Sequence, residues 1–411
     1  MVESGIACAA RRLVCRVVVL DTPIDCFMPY IDPLARSLAM APLVPETGYD
    51  SQMPKTSKPT FTFVDLFAGI GGMRIAAQRT GGVCVQSVEI DDAACTTYEA
   101  NFQDSPKGDI TKLVPRKRRI STHDITLAGF PCQAFSLAGK RGGFADTRGT
   151  LFRDVAEIIR HKKPRAFVLE NVKGLISHDG GRTLETILNV LEGPAVGYTL
   201  PVIVGPKGRK QRGWFTLNAL EFGLPQSRER IFIVGFRDPK AAARFIAPVP
   251  KPRQRKSSLI EILEDGPRYK RQVPARHFLS AKLLAGLKKH KLRHAKKGNG
   301  FGFAVRSHNE HAGTLVIGGM GKERNLVKAL LPAAADVSVA NRSPRNREGL
   351  RRLTPREWAR LQGFPESFKL HPRESQAYKQ LGNSVAIPVV SAVVSGVIKA
   401  LNLKARPQSI R

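Results

Sequence analysis

The chain predicts a doubly wound α/β fold followed by a smaller, loop-rich domain, and three observations carry that expectation. From Thr60 onward short apolar strands alternate with helical periodicity, the first strand runs into a glycine-rich turn, and beyond Arg237 the alternation gives way to Pro, Lys and Arg. Phe61 to Leu66 reads as the first strand, Gly72 to Thr80 as a helix, Val83 to Ile90 as the second strand, and a second helix runs through Asn101. Further strands are expected at Ile125 to Ala128, Ala166 to Glu170 and Arg230 to Phe236, with a helix near Thr150 to His161. Such a sheet is mostly parallel, and its loops gather at the carboxyl ends of the strands.

These elements divide the chain. Residues 1–58 form a leader without sustained period, in which Met53 is an alternative start; 59–236 form the α/β domain; 237–375 a second domain; 376–403 a helix returning to the first; and 404–411 a tail. The second domain carries a basic helix-like piece from Leu283 to Lys297 and a glycine-rich stretch from Gly298 to Gly321.

Composition narrows the partners. Lys and Arg outnumber Asp and Glu by 66 to 34, a formal charge of +32 spread through the sequence, which points to a polyanion. With 42% hydrophobic residues the chain can bury a large core. The cysteines at 8, 15, 26, 84, 95 and 132 include no CxxC pair, so neither a zinc site nor a disulfide framework is indicated and a reducing, cytoplasmic compartment fits best. No uninterrupted apolar run reaches the roughly 18 residues that span a bilayer. The apolar stretch Leu13 to Leu20 is interrupted by Arg16 and makes a poor signal peptide.

Chemistry concentrates first in the turn after strand one. Gly69, Gly71 and Gly72 allow a tight turn and close approach of a ligand to backbone, and Glu89 ends the next strand about 20 positions on, where a carboxylate can hold two ribose hydroxyls. Asp109, in Gly108-Asp109-Ile110, offers a carboxylate for an adenine amino group, or simply a helix cap. The pattern suits NAD enzymes and S-adenosylmethionine enzymes alike. A second concentration follows Ile125 to Ala128, where Gly129 permits a sharp turn and Pro131 fixes φ, so that Cys132 stands in a defined direction as a candidate nucleophile. A small buried hydrophobe is the plainer reading of such a cysteine.

Read in order, Asp65-Leu-Phe67-Ala-Gly69-Ile-Gly71-Gly72, Gly129-Phe-Pro131-Cys132-Gln133, Glu170-Asn171-Val172, Gln226-Ser-Arg228-Glu-Arg230 and Gln380-Leu-Gly382-Asn383-Ser384-Val385 resemble the ordered motifs of the DNA cytosine-5 methyltransferases of bacterial restriction-modification type, over roughly residues 60–403. The resemblance implies a Rossmann-like S-adenosylmethionine-dependent methyltransferase domain, a target-recognition domain, and a methyl transfer to C5 of a flipped cytosine in duplex DNA. It implies Cys132 as the nucleophile at C6, with Glu170, Arg228 and Arg230 as the other catalytic groups. It implies cofactor contacts from Phe67, Gly69, Gly71, Gly72, Glu89, Ile90, Asp109, Ile110, Pro131, Leu151, Asn383, Ser384 and Val385. It implies DNA contacts from Gln133, Ser136, Lys140, Arg141, Arg148, Gln226, Thr314, Leu315, Lys322 and Arg324, with the basic glycine-rich stretch after Cys132 as a mobile loop. Asn171 is expected to brace the active-site loop. In the stretch Arg351 to Pro365, Thr354 caps a helix that Pro355 starts.

The expected partners are double-stranded DNA and a restriction endonuclease acting on the same site, for a chain that works as a monomer. Three competitors stand beside this reading: a tRNA cytosine-5 methyltransferase on the same plan, a DNA-binding regulator without catalysis, and a nicotinamide dehydrogenase, which explains the first glycine turn but none of the later motifs.

Overall fold

The computed structural model describes residues 60–113, 120–131, 151–205, 208–250, 257–298, 302–317, 321–333 and 345–403. In chain order the first half contains β1 (Phe61–Leu66), α1 (Gly72–Gln78), β2 (Gly82–Val88), α2 (Asp92–Phe102), α3 (Ile110–Leu113), β3 (Ile125–Ala128), α4 (Leu151–Lys162), β4 (Ala166–Val172), α5 (Arg182–Glu192), the hairpin β5 (Val202–Val204) and β6 (Lys210–Arg212), then β7 (Trp214–Asn218) and β8 (Glu229–Phe236). The second half contains α6 (Pro239–Arg244), α7 (Ala281–Lys296), β9 (Ala304–Arg306), β10 (Asn325–Lys328), β11 (Leu350–Arg352), α8 (Pro355–Gln362), α9 (Glu374–Asn383) and α10 (Ile387–Ala400).

Six strands form the main sheet in the order β2-β1-β3-β4-β8-β7. β2, β1, β3 and β4 are parallel, and β8 is antiparallel to both β4 and β7. The central strands are apolar on both faces because helices cover both. Phe61 and Phe63 of β1 belong to the cluster under α1 and α10, whereas Val64 and Leu66 belong to the opposite cluster with Phe152 and Ile159 of α4. The register explains where the functional turns meet. Leu66 pairs with Ala128 and Ala128 with Leu169, so the turns after β1, β3 and β4 leave the sheet side by side. Antiparallel β8 brings its beginning to that same edge, with Arg230 opposite Val172.

The helix expected over 376–403 is two helices. Ser384, after the first helix, and Ala386, at the N-cap of the second, are both extended, and Pro388 lies in the first turn of α10, where its missing N–H has no helical partner to lose. The stretch Glu374–Ala400 is long and apolar enough to cross a bilayer, and here most of it is buried within the protein, as in the core helix of a globular domain. A separate small apolar cluster, Leu279, Leu284, Leu287, Phe303, Leu326 and Leu350, lies under the three-stranded sheet β11-β10-β9. The basic piece around 283–297 is α7, which buries only Leu284 and Leu287 and leaves its lysines in solvent.

Candidate active site

The turn between β1 and α1 is built from residues with positive φ: Phe67 at 60°, Gly69 at 54° and Gly71 at 85°. For Phe67 this conformation is uncommon, and it is held by Ala68, whose N–H donates to Val88 O at 3.0 Å, and by Gly69, whose N–H donates to Glu89 Oε2 at 2.8 Å. The other oxygen of Glu89 accepts from the N–H groups of Ile90 and Asp91 at 2.9 and 2.8 Å. The two strand ends are thus tied by one carboxylate. Gly72 has a packing reason: a Cβ there would lie 2.7 Å from Ser384 Oγ and 3.0 Å from Val385. The last motif in the sequence therefore closes directly on the first.

A cavity of about 800 Å³ opens at this edge, lined among others by Phe67, Gly69, Ile90, Asp109, Leu151 and Ser384. Gly71 instead packs against the rings of Phe102 and Tyr98, and every other expected cofactor residue lines the cavity: Gly72, Glu89, Ile110, Pro131, Asn383 and Val385 do so as well. Asp109 also caps α3, accepting from the Thr111 N–H and hydroxyl at 3.0 and 2.7 Å, and these bonds lower its pKa. The cavity fits S-adenosylmethionine on three counts. Its size is that of a site for a nucleotide-sized ligand. Open space lies where Gly69 lacks a Cβ. Ile90, 64% exposed at the rim, offers an apolar surface for a purine.

At the other end of the cavity stands Glu170, the fifth residue of β4, 9% exposed. Burial raises its pKa, and the nearby charges of Arg230 and Arg228 oppose the rise without reversing it. Its Oε1 lies 3.2 Å from Arg230 Nε, and its carboxyl sits beside Gly129, where a Cβ would be 3.7 Å from Oε2. Asn171 braces the next turn: its Nδ2 donates to Phe130 O at 2.9 Å, and its Oδ1 accepts from Val172 N–H at 2.8 Å.

Arg228 lines the cavity but is 3% exposed and faces main-chain carbonyls. It donates to Leu315 O at 3.2 Å, Gly382 O at 3.2 Å and Ser384 O at 2.6 Å, while its buried Nε has no partner among the described residues. Burial, then the charge of Arg230, lowers its pKa. Its neighbours differ from the expectation more sharply. Gln226, expected at the DNA, is fully buried, donating to Leu361 O at 2.8 Å and accepting from Leu315 N–H at 3.1 Å. Leu315, also expected at the DNA, is 1% exposed in the core, and Thr314 donates its hydroxyl proton to Ser227 O at 2.7 Å. Both expectations are corrected for one reason: the segment 312–317 docks on residues 225–228 and consumes these polar groups internally. Lys322 is half-buried with its Nζ 4.9 Å from the Tyr378 ring centre, whereas Arg324 is exposed. Cys132, Gln133, Ser136, Lys140, Arg141 and Arg148 lie outside the described residues.

The sequence reading missed Met73, Ile317 and Lys379, which also line the cavity. Ile317 had a detectable signal only in hindsight of packing: Gly382 has no Cβ because one would lie 2.5 Å from Ile317 Cγ2. Asp65 was noticed only as part of the first motif. It is fully buried, neither oxygen has a hydrogen-bond partner among the described residues, and burial pushes its pKa up to about 7 against the pull of Arg74.

A sheet whose carboxyl edge joins a glycine turn, an acid at the end of the next strand and a buried Glu–Arg pair around a cavity of nucleotide size is the arrangement of a cofactor-dependent group-transfer enzyme. Comparison with known proteins makes the class specific. The family model for C-5 cytosine-specific DNA methylase matches residues 61–399. The chain is 46% identical to the Type II methyltransferase M.HpaII of Haemophilus parainfluenzae, over 90% of this chain and 98% of that protein. It is 37% identical to the Type II methyltransferase M.HhaI of Haemophilus parahaemolyticus, over 83% and 95% of the two chains. The crystal structure of S. pombe Dnmt2 methyltransferase shares the fold, with a TM-score of 0.59 at 20% identity over 83% of this chain and 99% of that one. The chain belongs to the C-5 cytosine-specific DNA methylase family. It is a DNA (cytosine-5-)-methyltransferase that takes its methyl group from S-adenosylmethionine.

Proposed function

We propose that Cys132, Glu170 and Arg230 divide the work at the cytosine ring, and that Arg228 positions them. C5 of cytosine is a weak nucleophile because ring nitrogens and the carbonyl withdraw its electrons. S-adenosylmethionine, held by the Glu89 and Ile90 side of the cavity, supplies an electrophilic methyl group. Addition of the Cys132 thiolate forms the S–C6 bond and shifts the C5–C6 π electrons toward C5, which splits one hard step into easier ones. Glu170, whose pKa burial raises against the pull of Arg230 and Arg228, donates a proton to the ring nitrogen N3 as negative charge develops there. Methyl transfer would leave the donor as its neutral thioether. A water then takes the C5 proton, and the C5–H electron pair re-forms the C5–C6 double bond as the S–C6 bond breaks and releases the Cys132 thiolate. The N3 proton returns to the Glu170 carboxylate. Arg230 holds the Glu170 carboxyl at 3.2 Å and remains a donor for the cytosine carbonyl. The observation that carries this reading is the convergence of the Glu170–Arg230 pair on the Gly129 turn, three residues before Cys132 in sequence.

The substrate in this reading is a flipped cytosine in duplex DNA, since a stacked base cannot enter a cavity at the sheet edge. Residues 59–236 serve catalysis and 237–375 target recognition, with a restriction endonuclease reading the same site. The enzyme works as a cytoplasmic monomer.

The test uses labelled S-adenosylmethionine, plasmid DNA and tRNA, followed by mapping of 5-methylcytosine. DNA is expected to be labelled at one short sequence and tRNA not at all. Cys132→Ala is expected to lose at least 1,000-fold in rate while keeping DNA and cofactor affinity, on the scale of lost covalent catalysis (about 4 kcal/mol or more). An oligonucleotide with fluorine on C5 of the target should trap the wild type as a stable adduct at Cys132. Turnover without any such adduct refutes the covalent step.

A further inference from the structure

The edge of the main sheet opposite the cavity carries an arginine cluster that the methyl-transfer chemistry does not use. Arg165 immediately precedes β4 and Arg237 immediately follows β8, and since Ala166 pairs with Phe236 the two stand side by side. Arg244, at the end of α6, completes a small cleft of about 60 Å³ lined also by Asp238, Ala241 and Leu401. That is room for a few water molecules, and so for one phosphate group.

The guanidinium groups have structural anchors that leave most of their donors over. Arg165 donates to Leu401 O at 3.2 Å and Arg244 to Ala400 O at 2.9 Å, at the carbonyl end of α10, where cations are favoured. Arg237 donates to Lys163 O at 2.6 Å. A guanidinium has five N–H donors. Among the described residues none of the three arginines forms an ion pair, whereas Arg74, Arg160, Arg182, Arg212, Arg351 and Arg360 all do. Asp238 is the one carboxylate lining the cleft, and it accepts from the Lys240 N–H as the cap of α6. Exposed Lys163 and Lys240 flank the arginines in sequence.

We propose that this cleft and its basic rim are a second, sequence-independent site for the phosphate backbone of duplex DNA. Arginine forks match phosphate oxygens bidentately, and three converging on one cleft with a single acid suit a phosphodiester. The segment bound here is not the one being methylated. Arg165 lies five residues along β4 from Glu170, roughly 17 Å, and Arg237 lies seven residues along β8 from Arg230, roughly 24 Å, so the two sites face away from each other. A chain of charge +32 acting on DNA would thereby hold a neighbouring segment while its cavity samples another.

The test is sedimentation and fluorescence anisotropy with a labelled duplex of about 20 base pairs, over a salt series, with Lys163→Glu/Arg237→Glu against wild type. Wild type is expected to bind two duplexes per chain and the variant one, with the second duplex weakened at least tenfold. The log–log salt slope for that second duplex should fall by about 2, near 0.9 per lost phosphate contact. Methyl transfer to a short single-site duplex should stay within twofold. Lys163→Glu/Lys240→Glu removes charge without touching any side-chain hydrogen bond of the described residues, and it is expected to move binding the same way with unchanged thermal stability. Two duplexes still bound by both variants, or a short-duplex rate that falls with the binding, overturns the proposal. So does displacement of the second duplex by polyglutamate at equal charge, which would make the site one for acidic proteins.

Discussion

Replacing Arg228 by lysine separates a residue that acts on the ring from one that holds the site together. The guanidinium is 3% exposed and bonds three carbonyls that come from two different places, Leu315 in the segment 312–317 and Gly382 and Ser384 beside the cavity. Lysine keeps the charge but is a point donor on a flexible stem, and it cannot span all three. With at least one carbonyl left unpaired in a buried setting, and hydrogen bonds to charged groups contributing about 1.5–3 kcal/mol each, Arg228→Lys should destabilise the fold by about 2–4 kcal/mol. Urea unfolding followed by fluorescence reads this directly. In methylation assays KM for both DNA and S-adenosylmethionine should rise, because the lost bonds join the walls of both sites. Arg228→Met, which removes the charge as well, should be worse on both counts. An Arg228→Lys protein with wild-type stability and unchanged KM but a collapsed kcat would refute the reasoning and return Arg228 to the cytosine.

Three further predictions concern single groups. Glu170→Gln cannot deliver a proton, and the rate should fall 100- to 10,000-fold; because burial raises the Glu170 pKa, wild-type activity should hold up to that raised value and decline above it, and a wild-type-like pH profile in the variant would remove Glu170 from the chemistry. Gly72→Ala places a methyl group 2.7 Å from Ser384 Oγ, so cofactor KM should rise tenfold or more, corresponding to roughly 1–3 kcal/mol of overpacking, while DNA affinity holds in equilibrium binding. Asp65 keeps its proton to about pH 7 when folded but only to about 3.8 when unfolded. The unfolded chain therefore releases that proton first as pH rises, and stability should fall between about pH 4 and 7 and level off above. The contribution is on the order of 4 kcal/mol. Asp65→Asn should flatten this slope in urea titrations across that range, and an unchanged slope would place the titration elsewhere.

Local chemistry determined much of this protein before any folding was considered. The alternation of apolar strands with helices forces a layered α/β sheet, because buried parallel strands need apolar residues on both faces. The glycines at 69, 71 and 72 announce a tight turn, Thr354 and Pro355 announce a capped helix, in which Thr354 forms a reciprocal pair of bonds with Glu357, and Cys132 after Gly129 and Pro131 stands out by its backbone setting. Tertiary structure alone decided what long-range docking controls. That Gln226 and Leu315 turn inward, that Arg228 joins carbonyls more than 80 and 150 residues away, and that Ile317 walls the cavity all depend on segments 312–317 and 382–385 closing on residues 225–228, and the burial of Asp65 with no hydrogen-bond partner among the described residues is likewise invisible in its motif. A polar residue in a motif looks the same in sequence whether it meets DNA or another part of its own chain, because its type records the need for hydrogen bonds and not the direction from which they come.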